Sequence, residues 1–374
     1  MPENISRRQL LKYSKTSLVA LSSLNLINLL ANSSTTAAEN IISNLELQIP
    51  KLMQKASVPG VSIAIIRNQK LFWYQAFGFK NQYTKKPVTN KTVFAAASLS
   101  KPLFAYAVLK MVERGELNLD TPLTEYTDKP YIPDSRIKLI NTRKVLSHTT
   151  GFPNWSGSAP LWIKNQPGTK FGYSGEGFLY LQKIVEQITN QPLEDYLQQQ
   201  ILIPFGMDSS SFIWQDKYTE IASYGHDRQG KPKVMGKPKA AVSAGSLRTT
   251  AADYAQFIIA MMQSGAIDSS ANSSSNNFRL TESSLKQMLT PQTKISRSID
   301  WGLGWGLEKT NKDNFFWHWG DLVTFKSFVM GSRNLQTGIV ILTNSQNGLK
   351  ICEQIISQAV GGKHPAFKFW MIDY

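Results

Sequence analysis

Apolar and polar positions follow two different periods along this chain, and the periods fall in different places. Near the start, Gly60-Val61-Ser62-Ile63-Ala64-Ile65-Ile66 is a β-branched run, followed across the polar link Arg67-Asn68-Gln69-Lys70 by Leu71–Phe77. This pair predicts a β-hairpin. Toward the other end Asn314–Gly320, Phe325–Met330 and Gly338–Thr343 read as strands, the last two joined through Gly331-Ser332-Arg333-Asn334. Between these blocks the period is helical, notably in Pro102–Arg114, Gly177–Ile188 and Ala251–Met262, and further helices are predicted at Ile41–Lys55 and Gly348–Val360. The economical fold is α/β (α+β), with an antiparallel sheet built from both chain ends, flanked by helices and carrying a mostly helical inserted subdomain. Residues 39–374 then make one domain, with its α/β part at 39–86 plus 298–374 and the insertion at 87–297. A cleft at the seam is where a ligand site is expected. The Ser/Asn tract Ser269–Asn277 predicts a surface loop, and there is no repeat at solenoid periods.

Composition narrows the possibilities. With 374 residues, 42% hydrophobic and 18% charged, the chain has enough apolar material for a sizeable core. Lys plus Arg number 41 against 26 Asp plus Glu, a net charge of +15, yet no basic run is interleaved with aromatics, so nucleic acid is not the expected partner. The lone Cys352 excludes an internal disulfide and any Cys-built metal site, and the four histidines have no metal-ligand spacing. Residues 1–38 are laid out as a signal peptide: Arg7-Arg8, an apolar stretch from Ser17 to Ala31, then the small-residue tail Thr36-Ala37-Ala38. The paired arginines resemble a twin-arginine signal, although Leu10 stands where Phe is common. The expected location is therefore periplasmic or extracellular, or membrane-anchored if the segment is kept. Ser22, Ser23, Asn25 and Asn28 interrupt it too often for a stable spanning helix.

One tetrad carries candidate chemistry. In Phe94-Ala95-Ala96-Ala97-Ser98-Leu99-Ser100-Lys101-Pro102, Pro102 is acceptable only in a first helical turn, which starts the helix near Ser98; Gly115 stops it. Ser98 and Lys101 are then three apart on one face, so the amine reaches the hydroxyl. A lysine becomes a base for a serine once burial depresses its pKa from about 10.4. Taken alone, the tetrad reads first as an N-cap serine beside a solvated lysine. Ser283-Ser284-Leu285-Lys286 repeats the spacing in a polar stretch and is expected to be a decoy.

Two later segments supply partners. Tyr173 ends the loop Pro167–Gly172 and precedes a helix; a buried Tyr there relays protons or is simply a core aromatic. In Phe315-Phe316-Trp317-His318-Trp319-Gly320, strand alternation puts His318 and Gly320 on the face opposite the tryptophans, with Gly320 allowing a ligand onto bare backbone. Ser98-x-x-Lys101, Tyr173-Ser174-Gly175 and His318-Trp319-Gly320 in this order resemble the serine β-lactamase and penicillin-binding-protein superfamily, in its class C β-lactamase-like branch. The resemblance extends through Leu146-Ser147-His148-Thr149-Thr150-Gly151, Ile203-Pro204-Phe205-Gly206-Met207 and Ala244-Gly245-Ser246-Leu247-Arg248-Thr249-Thr250.

What the resemblance implies is Ser98 as acylated nucleophile, Lys101 and Tyr173 as the proton-transfer pair, and an oxyanion hole from the N–H groups of Ser98 and Asp321 beside Gly320. His318 would line the cleft, and no metal or organic cofactor is needed. Two departures bear on substrate. Gly175 stands where class C enzymes have Asn, removing a grip on an acylamino group, and a mostly neutral His318 replaces the Lys that would meet a β-lactam carboxylate. Glu176 is either a substitute polar group or an exposed first-turn acid, and His148 is expected to be a structural hydrogen-bonding residue. The expected activity is hydrolysis of an ester, amide or D-amino-acid peptide, with cell-wall material as one source of such a substrate, ahead of β-lactamase or DD-carboxypeptidase action. An α/β-hydrolase is disfavoured because Gly172–Gly177 has the wrong spacing for a nucleophile elbow. The reading from another class is a catalytically silent protein binding anionic cell-wall polymer through its basic surface.

Overall fold

The structure is a computed structural model that describes residues 39–264 and 278–372. The signal-like segment and most of the Ser/Asn loop lie outside these residues. The chain divides into two units, 1–48 and 49–374. Of the first, the described part is the opening of helix α1 (39–56); everything that follows concerns the second.

Among the described residues one sheet dominates, and its strands come from the two ends of the chain. β1 (Gly60–Arg67), β2 (Lys70–Asn81) and β3 (Lys86–Pro87) precede the insertion. β7 (Ile299–Trp301), β8 (Gly306–Lys309), β9 (Asn314–Asp321), β10 (Lys326–Ser332) and β11 (Thr337–Thr343) follow it, and β6 (Thr293–Lys294), within the last residues assigned to the insertion, already belongs to the sheet. The order is β3-β2-β1-β11-β10-β9-β8-β7-β6, antiparallel throughout. The seam between the chain ends is the β1–β11 pair, from Val61↔Thr343 to Arg67↔Thr337. Because both faces of the central strands are covered, β1 is apolar continuously rather than alternately. Ala64 and Ile66 face the core shared with Val340 and Leu342, while Ile63 and Ile65 point to the other side, and all are fully buried. Each such Ile contributes about 1.5–3 kcal/mol on leaving water.

The insertion is helical as expected. It holds α2 (Ser100–Glu113), α3 (Thr142–Leu146), α4 (Gly175–Thr189), α5 (Leu193–Leu197), α6 (Tyr218–Ile221), α7 (Ala251–Met262) and α8 (Glu282–Met288), with α9 (Leu349–Ile356) after the sheet. A two-stranded pair, β4 (Phe94–Ala95) with β5 (Arg248–Thr249), ties its two halves together. Helix α7 lies on the sheet so closely that a Cβ at Gly338 of β11 would come within 2.9 Å of Ile258 and 3.0 Å of Met262. On the opposite face the last described residues close the sheet, Phe367 stacking on Phe328 at 4.5 Å between ring centroids. Cys352 is buried in α9, where its thiol donates to Gly348 O at 3.4 Å. The S-x-x-K copy at 283–286 forms the short surface helix α8 with Ser283 and Lys286 exposed.

Candidate active site

Ser98 lies on a 3-10 turn, Ala97–Leu99, squeezed between β4 and α2. Ala97 takes φ +51°, a left-handed conformation that a non-glycine residue adopts only when its surroundings impose it. They do. Ala96 N–H donates to Leu247 O (2.8 Å), Leu247 N–H to Ser100 Oγ (3.0 Å), Ser100 Oγ to Ala97 O (2.7 Å), and Tyr254 of α7 to Leu99 O (3.0 Å). The turn leaves Ser98 partly exposed while its neighbours Ala97, Leu99 and Ser100 are buried. Pro102 falls in the first turn of α2, where its missing N–H costs nothing.

Lys101 follows on that turn with no exposed surface at all. Its Nζ is 3.0 Å from Ser98 Oγ and donates to Ala244 O at 2.7 Å. Among the described residues no carboxylate pairs with it, and burial lowers its pKa to about 7. The Ala244 carbonyl therefore holds an amine N–H, which leaves the nitrogen free to face Ser98 when neutral. The rings of Tyr173 and Phe178, with centroids 4.8 and 5.6 Å from Nζ, present π-faces to the cation when it is protonated.

Tyr173 enters from the loop before α4. Burial pushes its phenol above the usual range; the neighbouring Ser98 hydroxyl offsets part of this, yet no hydrogen bond of normal geometry reaches the phenol oxygen. An aromatic nest fixes the ring: His148 at 4.2 Å, Trp319 at 4.9 Å and Trp301 at 6.0 Å between centroids. His148 also accepts from Ser174 N–H through Nδ1 (3.1 Å), so the proton of this neutral imidazole is on Nε2. Burial holds its pKa well below 6.5, and the structural role expected for it stands.

His318 shares this buried neighbourhood, 6.2 Å from the Tyr173 ring. Its Nδ1 donates to Trp319 O at 2.8 Å, leaving Nε2 a bare, buried acceptor. Burial, with a smaller contribution from Lys101, lowers its pKa to about 3. The residue is thus neutral and enclosed, and brings no cation to the cleft.

Three expectations need correction. Gly320 does not open backbone to a ligand: a Cβ there would be 2.3 Å from Ala96 O and 2.1 Å from Ser327 Oγ, so the glycine lets β9 press against the nucleophile turn. Gly175 is covered too, because its Cβ position lies 2.5–2.8 Å from the indole of Trp155. Glu176 is neither an exposed acid nor a spare ligand; it is buried and accepts from Ser156 N–H and Oγ, both at 2.8 Å. With Asn154, which accepts from Gly175 N–H at 3.0 Å, it anchors a loop that carries the half-exposed Trp155. Sequence reasoning missed Trp155 and the Ala244 carbonyl. A loop tryptophan carries no periodic signal, and a carbonyl carries no residue identity.

Asp321, the last residue of β9, is paired with Lys326 of β10 both in register and by an ion pair. Leu322 N–H donates to Phe325 O (3.0 Å), so by antiparallel alternation Asp321 N–H points away from β10. Strand β8 ends its pairing at Trp317, so neither neighbouring strand uses that N–H.

An amine rather than an imidazole set against the serine, beside a strand of a large antiparallel sheet, defines the serine β-lactamase and penicillin-binding-protein class of serine hydrolases. The chain belongs to the β-lactamase family, whose model, described as Beta-lactamase, matches residues 45–353. It is similar to protein flp of Staphylococcus aureus strain N315, 24% identical over 353 residues that cover 86% of this chain and 68% of that protein. It is also similar to esterase EstB of Burkholderia gladioli, 25% identical over 53% of this chain and 58% of the esterase. The chain thus spans about two thirds or less of the length of these relatives. In structure it is similar to the D-alanine carboxypeptidase AmpC from Burkholderia cenocepacia, with a TM-score of 0.73 and 20% identity over 87% of this chain and 99% of that one. No helix among the described residues is long and apolar enough to cross a membrane.

Proposed function

We propose that this protein is an exported hydrolase that works through an acyl-enzyme on Ser98, with carboxylic esters as its preferred substrates ahead of amides and D-amino-acid peptides. The observation that carries this reading is the fully buried Lys101 amine, 3.0 Å from Ser98 Oγ with a pKa lowered to about 7. About half of such amines are neutral at pH 7, and a neutral amine is a base. Tyr173 stays a phenol because burial raises its pKa, so it serves as acid and relay.

Ser98 Oγ attacks the substrate carbonyl while its proton passes to Lys101 Nζ. The tetrahedral oxyanion is met by the N–H groups of Ser98 and Asp321. The leaving group takes the Tyr173 proton as the C–O bond breaks, and the Lys101 ammonium returns a proton to the phenolate. Water then attacks the acyl carbon, giving up its proton to Lys101, and Ser98 departs as the alcohol by taking that proton back from the Lys101 ammonium. The chain itself supplies every group these steps require.

Esters rank first because the acylamino grip is absent at Gly175, with Trp155 over that position, and because His318 is neutral. A chromogenic cephalosporin cleaved far faster than short-chain nitrophenyl esters would reverse the ranking in favour of β-lactamase or carboxypeptidase action. Against a catalytically silent wall-binding role stand the buried Lys101 and the strained turn, both costly to keep without chemistry. The test is a fluorophosphonate probe followed by mass spectrometry. One adduct is expected, on Ser98, with none in Ser98→Ala; an unlabelled Ser98 or full ester turnover by that variant contradicts the reading.

A further inference from the structure

A second feature, which the acyl-transfer steps do not use, is lined by chain neighbours of Ser98 and Asp321. A cavity of about 260 Å³ is walled by Ala95, Arg248, Trp214, Gly236, Leu322 and Phe325 among others. Ala95 pairs with Arg248 across β4–β5 and lies three residues before the nucleophile, and Leu322 follows Asp321. The two segments that deliver Ser98 and Asp321 therefore continue into its wall.

Arg248 is only 7% exposed. Its guanidinium donates to Ser246 O (3.3 Å) and Gly236 O, and lies 5.6 Å from the Trp214 ring centroid. Lys237 Nζ stands 4.9 Å from the same ring. Among the described residues neither cation has a carboxylate within ion-pair distance. The buried acids of this region are taken: Glu194 accepts from Ser211 Oγ and Phe212 N–H, and Asp253 from Ser210 Oγ and Ser209 N–H. Burial lowers the Arg248 pKa to about 10, so it remains cationic at neutral pH. A buried guanidinium with two carbonyl acceptors and no counter-ion carries an unrecovered desolvation cost and spare N–H groups.

We propose that this recess binds a carboxylate on the acyl portion of the substrate, so that preferred substrates are half-esters of dicarboxylic acids with an apolar spacer. The proposal rests on the serine-hydrolase reading. Its assignment to the acyl side follows from the walls: none of Tyr173, His148, Trp301 or His318 lines the cavity, and Tyr173 protonates the leaving group. A carboxylate also suits the planar fork of Arg248.

The experiment compares kcat/KM for 4-nitrophenyl hemiadipate with that for 4-nitrophenyl hexanoate, and for 4-acetoxybenzoate with that for phenyl acetate. The expected result is at least a tenfold preference for the hemiadipate, reduced about tenfold or more in Arg248→Gln through KM and partly kept in Arg248→Lys, with no charge preference in the second pair. Should Arg248→Gln fail to fold, competitive inhibition of 4-nitrophenyl hexanoate hydrolysis by free adipate, and not by the uncharged adipamide, gives the same answer on the native protein. Equal turnover of the first pair, a preference confined to the leaving group, or equal losses for both members in Arg248→Gln overturns the subsite. Hexanoate hydrolysis with Ser98 labelled would leave the serine-hydrolase reading intact in each of those cases, whereas no hydrolysis and no labelling would remove that reading itself.

Discussion

Lys101→Met is expected to lose at least about 10³-fold in ester turnover and yet to be more stable than the native protein at pH 7. The native amine is fully buried, and moving its pKa from 10.5 to about 7 corresponds to about 1.4 kcal/mol per unit. Held in the fold at neutral pH, it therefore costs a few kcal/mol. Because the folded-state pKa lies below the unfolded one, the unfolded chain binds more protons between pH 7 and 10.5. The cost is full below about pH 7 and fades as pH rises toward 10.5. Methionine fills nearly the same volume without a charge, although it leaves the Ala244 carbonyl unbonded, which gives back about 1–3 kcal/mol. Urea denaturation at pH 6.5 and pH 10 measures the difference. The variant should lead at the lower pH by a margin that shrinks at the higher one. A native protein with pH-independent stability over this range would mean the lysine is not held neutral.

Tyr173→Phe is expected to lower kcat by about 10²–10⁴ for an ethyl ester, and much less for a 4-nitrophenyl ester of the same acid. The reason lies in the leaving groups. Ethoxide needs a proton as it departs, whereas nitrophenolate does not, so only the first depends on an acid at Tyr173. The phenol oxygen is buried with no hydrogen-bond partner, so its removal should leave stability unchanged or slightly raised. Steady-state kinetics on the two esters separates acid catalysis from mere positioning. Equal losses on both would assign Tyr173 a packing role, like that of His148 against the same ring.

Elements were far more legible in the sequence than their contacts. The β-branched run at 60–66 became β1, Ala251–Met262 became α7 with its predicted ends, and Pro102 placed the start of α2 to within two residues of Ser98. Each was set by local periodicity or by a residue that restricts its own backbone. Motif order alone singled out Ser98, Lys101 and Tyr173 as candidates, and the fold places the three side chains together. Contacts between distant segments were not legible. Ala244 reaches Lys101 across 143 positions of sequence, and Gly320 is a glycine because Ala96, more than two hundred residues earlier, occupies the space of its side chain. Burial of His318 depends in the same way on Trp301, Trp305 and Tyr173 closing around it, which strand alternation indicates only as a face. The covering of Gly175 by Trp155 depends on the buried Glu176–Ser156 anchor, and a glutamate in a first helical turn does not announce that partner.

The most direct measurement is the pH dependence of a single acylation, followed as the burst of nitrophenol from excess protein and a 4-nitrophenyl ester between pH 5 and 9. The rate should climb nearly tenfold per pH unit at the acid end and level off with a midpoint near 7, as the Lys101 ammonium gives up its proton. A rate still rising steeply at pH 9, or one that ignores pH throughout, would contradict a neutral buried amine as the base that activates Ser98.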